Sequence, residues 1–92
     1  MEFAWDGVKA AQNLRDHRVS FEQAACAFRD PFAVEWIDTR EAYREERCIL
    51  LGMVDGQVLT VVYTERGNRI RIISAWRATR HEQDRYYRQN AP

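Results

Sequence analysis

Residues 47–76 read RCILLGMVDGQVLTVVYTERGNRIRIISAW, and the architecture hangs on this stretch. Arg47 to Val54 and Gln57 to Glu65 are runs of aliphatic and β-branched residues, the types that fill a pleated, half-buried surface. Asp55-Gly56 between them suits a two-residue hairpin turn, because both central positions need positive φ. A second hairpin follows, closed by Arg66-Gly67-Asn68 and continued by Arg69 to Trp76. Placing Val54 opposite Gln57 puts Cys48 opposite Tyr63 and Glu46 opposite Glu65. A three-residue second loop then puts Arg69 opposite Glu65 and Arg71 opposite Tyr63. On that register one face gathers Glu46, Glu65, Tyr63, Arg69 and Arg71. The other carries Ile49, Leu51, Met53, Val58, Val62, Ile70, Ile72 and Trp76 as the side for the N-terminal helices. A slip of one residue in the second loop exchanges the face on which the arginines lie.

Outward from this core, the patterning turns helical on both sides. Asp6 is placed to cap a helix over about 6–16, where Val8, Ala11 and Leu14 make a thin apolar stripe. Ser20 and Gln23 have capping-box spacing, with Val19 and Ala24 as the flanking staple, and open a second helix that runs to about Phe28 before Asp30-Pro31 stops it. Phe32, Val34 and Trp36 alternate as a strand, and Asp38 to Glu41 read as a loop. At the other end Thr79 and Glu82 repeat the capping-box spacing and open a polar helix through about Gln89, with Tyr86 and Tyr87 as inward contacts. The expected class is α+β: two N-terminal helices on a small, mostly antiparallel sheet of three to five strands, followed by a C-terminal helix.

At 92 residues, 46% of them hydrophobic, the chain supports one core, so residues 1–92 are read as a single domain. No apolar run approaches the roughly 18 residues of a membrane span, and the first residues lack a signal-peptide profile. A soluble cytoplasmic protein without membrane contact is expected. Cys26 and Cys48 stand outside any C-x-x-C pair in apolar surroundings and read as reduced core residues. With His17 and His81 they are spaced 9, 22 and 33 apart, which matches no zinc-ligand pattern. Neither a nucleophile elbow nor a phosphate-cradling glycine loop is present, so no metal and no cofactor is expected.

Fourteen basic residues balance fourteen acidic ones, but unevenly along the chain. Residues 66–81 hold Arg66, Arg69, Arg71, Arg77 and Arg80 and no acid, a local charge of +5 against −5 on the rest. Thirteen of the fourteen basic residues are arginines, whose planar fork takes two phosphate or carboxylate oxygens at once. Cleaving RNA without a metal needs a base for the 2′-OH proton, cations for the transition state and an acid for the leaving oxygen. Arginine fits the middle role and is a poor proton shuttle. The constellation is therefore Glu65 with Arg66, Arg69, Arg71, Ser74, Arg77 and Arg80, with Glu65 or His17 as base. The plainer readings are a cross-strand ion pair between Glu65 and Arg69 or Arg71, a helix-end role for His17, and core positions for Trp5, Trp36 and Trp76.

Seven segments in order carry a family resemblance: Phe3-x-Trp-Asp6, Asn13-Leu-x-x-His17, Val19-Ser-Phe-Glu-x-Ala24, Phe28-x-Asp-Pro31, Glu45-Glu-Arg47 through Gly52, Val62-Tyr-Thr-Glu-Arg-Gly67 and Ile70-Arg-Ile-Ile-Ser-Ala75, followed by Ala78-Thr-Arg-x-Glu82. The chain resembles the BrnT toxins of type II toxin–antitoxin systems. The resemblance implies a RelE-like ribonuclease fold, metal-independent RNA cleavage, and neutralisation by a BrnA-type antitoxin whose ribbon-helix-helix segment alone contacts operator DNA. It carries functional roles onto Glu65, Arg66, Arg71, Ser74, Arg80 and Arg47. Where the family shows Arg then Lys after Ile73-Ser74-Ala75, this chain has Trp76-Arg77, and His17 is followed by Arg18 where the family often has Gly. The expected site has Glu65, Arg71, Arg80 and His17 as catalytic residues and Arg47, Arg66, Arg69, Ser74 and Arg77 on RNA, the guanidiniums converging in one pocket.

Two other readings stand beside the enzyme. The first is an antitoxin-binding corepressor without cleavage, since carboxylates satisfy the same forks as phosphates. The second is a self-association surface made by Leu50, Leu59, Val61 and Ile73.

Overall fold

Asp55 and Gly56 both take positive φ, 49° and 81°, and turn the chain between the two longest apolar runs as their residue types require. The computed structural model describes residues 1–92. Its elements run β1 (Glu2–Ala4), α1 (Gly7–His17), α2 (Phe21–Ala27), β2 (Val34–Ile37), β3 (Cys48–Val54), β4 (Gln57–Arg66), β5 (Arg69–Arg77) and α3 (Arg80–Gln89). The strands form one sheet in the order β1-β5-β4-β3-β2, antiparallel except where β1 runs parallel to β5. This is the expected α+β arrangement at five strands, with β1 the element that sequence patterning does not reveal. No helix is long and apolar enough to cross a membrane.

All three helix starts follow their sequence signals. The Asp6 carboxylate accepts from the Val8 and Lys9 amides, and Ser20–Gln23 and Thr79–Glu82 both close reciprocal capping boxes. The first helix turns its face differently from the expected stripe. Val8 is 67% and Leu14 52% exposed, whereas Asn13 is buried. Asn13 satisfies three backbone groups: its Nδ2 donates to the Val19 and Ala75 carbonyls, and its Oδ1 accepts from the Ala75 amide. One polar side chain thus ties α1, the turn before α2 and β5 together.

The β3–β4 register is the expected one, Cys48 to Tyr63 through Val54 to Gln57. The second hairpin is tighter by one residue. Arg66 pairs with Arg69, leaving only Gly67 and Asn68 in the turn, and Gly67 supplies positive φ there. Glu65 therefore faces Ile70, Thr64 faces Arg71 and Tyr63 faces Ile72. Beyond them a bulge leaves Ile73 unpaired and sets Val62 opposite Ser74. Directly paired residues share a face, so Arg66, Arg69 and Arg71 lie with Thr64 on one face, and Glu65 lies with Tyr63, Ile70 and Ile72 on the other. The expected grouping of Glu65 and Tyr63 with Arg69 and Arg71 is corrected by that single slip.

The core assignment of β3 and β4 is corrected as well. Under α1 and α2 lie Leu50, Leu59, Val61, Tyr63, Ile70, Ile72 and Ala75, packed against Val19, Phe21, Ala24 and Ala27. Gly52 faces the same way and lets α2 approach closely: a Cβ there would stand 2.4 Å from the Ala27 carbonyl oxygen. Ile49, Leu51, Met53, Val58 and Val62 point to the opposite face, where Leu51 and Val58 are buried with Ala78 and Tyr86 under α3. Leu50, Leu59 and Val61 are buried within one chain, which removes the expected self-association surface. Tyr86 points inward as expected, whereas Tyr87 is exposed. Cys26 is exposed instead of buried and Cys48 is half-buried, both as free thiols.

Candidate functional site

Strand alternation on the α3 side of the sheet builds a cationic row at the end away from that helix's apolar contacts. Thr64 pairs with Arg71, Arg71 pairs with Ala4 of β1, and one step beyond the paired residues of β3 stands Arg47, alongside Thr64. Arg66 and Arg69 face each other one step further out. Arg66, Arg69 and Arg71 line one polar cleft with Glu2, Ala4, Trp5, Asp6 and Asn68. Arg71 is exposed and forms no ion pair.

Two buried polar atoms in this row have no hydrogen-bond partner, Thr64 Oγ1 and Arg47 Nε. Thr64 as a residue is 1% exposed. A buried hydroxyl or guanidinium nitrogen without a partner is destabilising by about 1–3 kcal/mol.

The loop between β2 and β3 borders the row and is held by a buried carboxylate. The Asp38 side chain is 1% exposed and accepts from the Arg40 amide, the Arg40 guanidinium through Nε and Nη2 at 2.8 Å each, and the Tyr43 hydroxyl at 3.0 Å. The Arg40 guanidinium holds the Asp38 carboxyl far below the usual carboxylate range. Tyr43 in turn lies under the Arg47 guanidinium, 4.3 Å from ring centroid to the central carbon, a cation–π contact that fixes where Arg47 sits.

The carboxylate bonded most closely to the cations is Glu45. Its Oε2 accepts from Arg66 Nε at 3.2 Å and from Arg66 Nη2. The Arg66 hydrogen bonds, with the charges of Arg66, Arg71 and Arg47 behind them, hold the Glu45 carboxyl below the ordinary glutamate range. Arg69 is paired more loosely, 3.5 Å from Glu2. Three other acids go the other way. Glu46, Glu35 and Glu65 surround Cys48 on the α1–α2 side, where burial first and then their charges push its thiol up. On that side Tyr63 is buried and its hydroxyl donates to Glu35, its own ionisation pushed up chiefly by burial.

The remaining expected residues lie elsewhere. Arg77 stands six positions along β5 from Arg71, about 20 Å at the rise of a strand. Arg77 pairs with Leu59 and so points to the α1–α2 side. It lines a second cleft with Asp16, His17, Arg18 and Trp76, where the His17 and Trp76 rings stand 6.1 Å apart. Arg80, exposed at the start of α3, and Arg77 form no ion pair. Ser74 is half-buried opposite Val62, on the Arg71 face. The expected single pocket is therefore divided: Arg66, Arg69 and Arg71 line one cleft with Arg47 on the same face beside Thr64, and His17 and Arg77 line another at the far end. Glu65 is not brought to Arg69 or Arg71, either as a catalytic partner or as an ion pair. The tryptophans have structural contacts: Trp5 stacks edge-on against Phe21, Trp36 carries the Arg85 guanidinium at 3.6 Å, and Trp76 Nε1 donates to Glu82.

A family model described as "Ribonuclease toxin, BrnT, of type II toxin-antitoxin system" matches residues 5–82, 78 of the 92 residues. The chain belongs to the BrnT family. No curated protein matches it. BrnT membership makes this chain a ribonuclease toxin of a type II toxin–antitoxin system by family, and a toxin of that type implies an antitoxin partner. The match spans β2, β3, β4 and β5 and so includes every residue of the cationic row. Sequence patterning did not single out Glu45, Thr64 or Asn13. For Glu45 a signal does exist in the chain itself: alternation from Cys48 backwards places Glu45 with Arg47 and puts Glu46 on the other face.

Proposed function

We propose that this BrnT toxin is a metal-independent endoribonuclease whose scissile phosphate sits on the Arg47–Thr64–Arg71 row, with Arg66 and Arg69 on neighbouring phosphates. The observation that carries the reading is the polar cleft lined by Arg66, Arg69 and Arg71, in which Arg71 is exposed and unpaired and shares its face with Thr64 and Arg47. Phosphate oxygens satisfy such donors, and preorganised guanidiniums stabilise the charge that develops on phosphorus. His17 and Arg77 form a second contact for flanking nucleotides, Arg80 stands exposed at the start of α3 as a further cation, and Ser74 lies on the face of the row. The partner is a BrnA-type antitoxin whose ribbon-helix-helix segment holds operator DNA, and the toxin acts in the cytoplasm on RNA.

Purified chain incubated with RNA under EDTA tests this reading. Cleavage by the wild type and its loss in Arg71→Ala are expected; equal cleavage by both points to a contaminating nuclease and removes the proposal. One observation favours the corepressor alternative: Glu45 and Glu2 already show carboxylates seated on Arg66 and Arg69. Expression without antitoxin separates the two, because only an active nuclease arrests growth.

A further inference from the structure

We propose that Glu45 is the general base of the reaction, taking the proton from the ribose 2′-oxygen next to the scissile phosphate on the Arg47–Thr64–Arg71 row. The assignment rests on the ribonuclease reading above. A base must be within hydrogen-bond reach of the proton it takes. Geometry disposes of the other candidates. Glu65 faces Ile70 across the sheet from Arg71, and Glu46 and Glu35 gather around Cys48 on that same far side. His17 stands beside Trp76 and Arg77 at the other end of β5. Glu2 and Asp6 line the same cleft on the β1 side, where Glu2 lies 3.5 Å from Arg69, the outermost cation, and Asp6 is committed to the Val8 and Lys9 amides as the cap of α1.

Glu45 alone touches a guanidinium of the row while lying within Coulombic range of two more, Arg71 and Arg47. It is also placed firmly, because it sits between Tyr43 and Arg47 on the loop that Asp38 anchors. The neighbouring phosphate, by taking the Arg66 fork, releases the carboxylate and leaves it beside the scissile phosphate.

The step balances without a co-reactant. Glu45 accepts the 2′-OH proton as the 2′-oxygen bonds to phosphorus; the bond from phosphorus to the 5′-oxygen breaks, and that oxygen takes a proton from solvent. Glu45 then returns its proton to solvent. The products are a 2′,3′-cyclic phosphate and a 5′-hydroxyl end. The charged groups facing Glu45 are Arg66 from β4, Arg71 from β5 and Arg47 at the entry to β3.

Steady-state cleavage of a short RNA oligonucleotide by full-length wild type, Glu45→Gln, Glu46→Gln and Arg71→Ala, over a pH series, tests the assignment, with thermal melting as the fold control. Glu45→Gln should lower kcat by about 100-fold or more while KM stays level or falls, since Arg66 is then free for phosphate. It should also abolish the acid limb of the kcat/KM profile, which reports the free enzyme and in the wild type lies below the ordinary glutamate range. Glu46→Gln should match the wild type, and the wild-type product should carry the cyclic phosphate. Wild-type kcat in Glu45→Gln, or an acid limb that survives the substitution, overturns the assignment. If Arg71→Ala is dead in that same experiment, Glu45 alone falls; if the wild type cleaves nothing, the ribonuclease reading falls and the base with it.

Discussion

Thr64 and Arg71 lie directly opposite one another on β4 and β5, while the next residue of β4, Glu65, lies opposite Ile70 on the other side of the sheet. One residue in a turn sets this relationship. With Gly67 and Asn68 alone in the second hairpin, the arginines share a face with a partnerless threonine hydroxyl and not with Glu65.

The role given to Arg71 depends on its fork as well as its charge. Arg71→Lys keeps the charge and loses the second hydrogen bond, so kcat/KM for RNA cleavage should fall by about 10-fold, against about 100-fold or more for Arg71→Ala. Both variants should melt within a degree or two of the wild type, because Arg71 is exposed and unpaired in the free chain. Kinetics and thermal melts on the same preparations check both parts.

Asn13 holds the fold where α1 meets β5. Asn13→Ala strands the Ala75 amide and leaves the Val19 and Ala75 carbonyls without their donor, all in the interior. A loss of about 2–4 kcal/mol is expected, seen as a lower urea midpoint with an unchanged slope. A loss under about 0.5 kcal/mol would be incompatible with three broken interior bonds.

Gly52 is a matter of space. An added Cβ meets the Ala27 carbonyl oxygen at 2.4 Å and the Ala27 Cβ at 2.9 Å, and backbone has to move to relieve it. Gly52→Ala should destabilise by about 1–3 kcal/mol, whereas Gly7→Ala, with nothing near its Cβ, should change stability little. Parallel urea titrations compare the two.

Asp38 gives the loop beside the row a defined pH response. Its folded-state pKa is depressed by the Arg40 hydrogen bonds, so its contribution is present above the unfolded carboxylate value and is lost as pH falls below about 4. Asp38→Asn should therefore be less stable than the wild type by about 2 kcal/mol at neutral pH, with the gap narrowing as the solution is acidified through that range. Urea midpoints across a pH series give the two curves. A gap that widens toward acid would have the wrong sign.

Much of the architecture is legible in the sequence because its signals are local. Asp6, Ser20 and Thr79 cap helices where their side chains reach backbone amides, and Asp55-Gly56 closes a hairpin by its φ preference. What escapes are decisions between distant residues. Two loop lengths fit Arg66-Gly67-Asn68, and only the β4–β5 pairing chooses between them. The faces of β3 and β4 are ambiguous because both sides of the central strands are apolar and both become buried, one under α1 and α2, the other under α3. β1 is three residues long, too short for a periodic pattern. Asn13 looks like a surface amide until Ala75, 62 residues away, is placed beside it. In the site, charge composition singles out the arginines of residues 66–71, but the acid that joins them comes from a loop whose course no periodicity specifies.

If RNA phosphate binds on the Arg47–Thr64–Arg71 row, the arginine side chains there must feel it before any others do. NMR of those side chains, during titration with an uncleavable 2′-deoxy-substituted oligonucleotide, reads this without relying on turnover. The Nε–H signals of Arg47, Arg66 and Arg71 should shift first and saturate together. Shifts confined to Arg77 and Arg80, with the three row arginines unmoved at saturation, would place the phosphate elsewhere and refute the assignment.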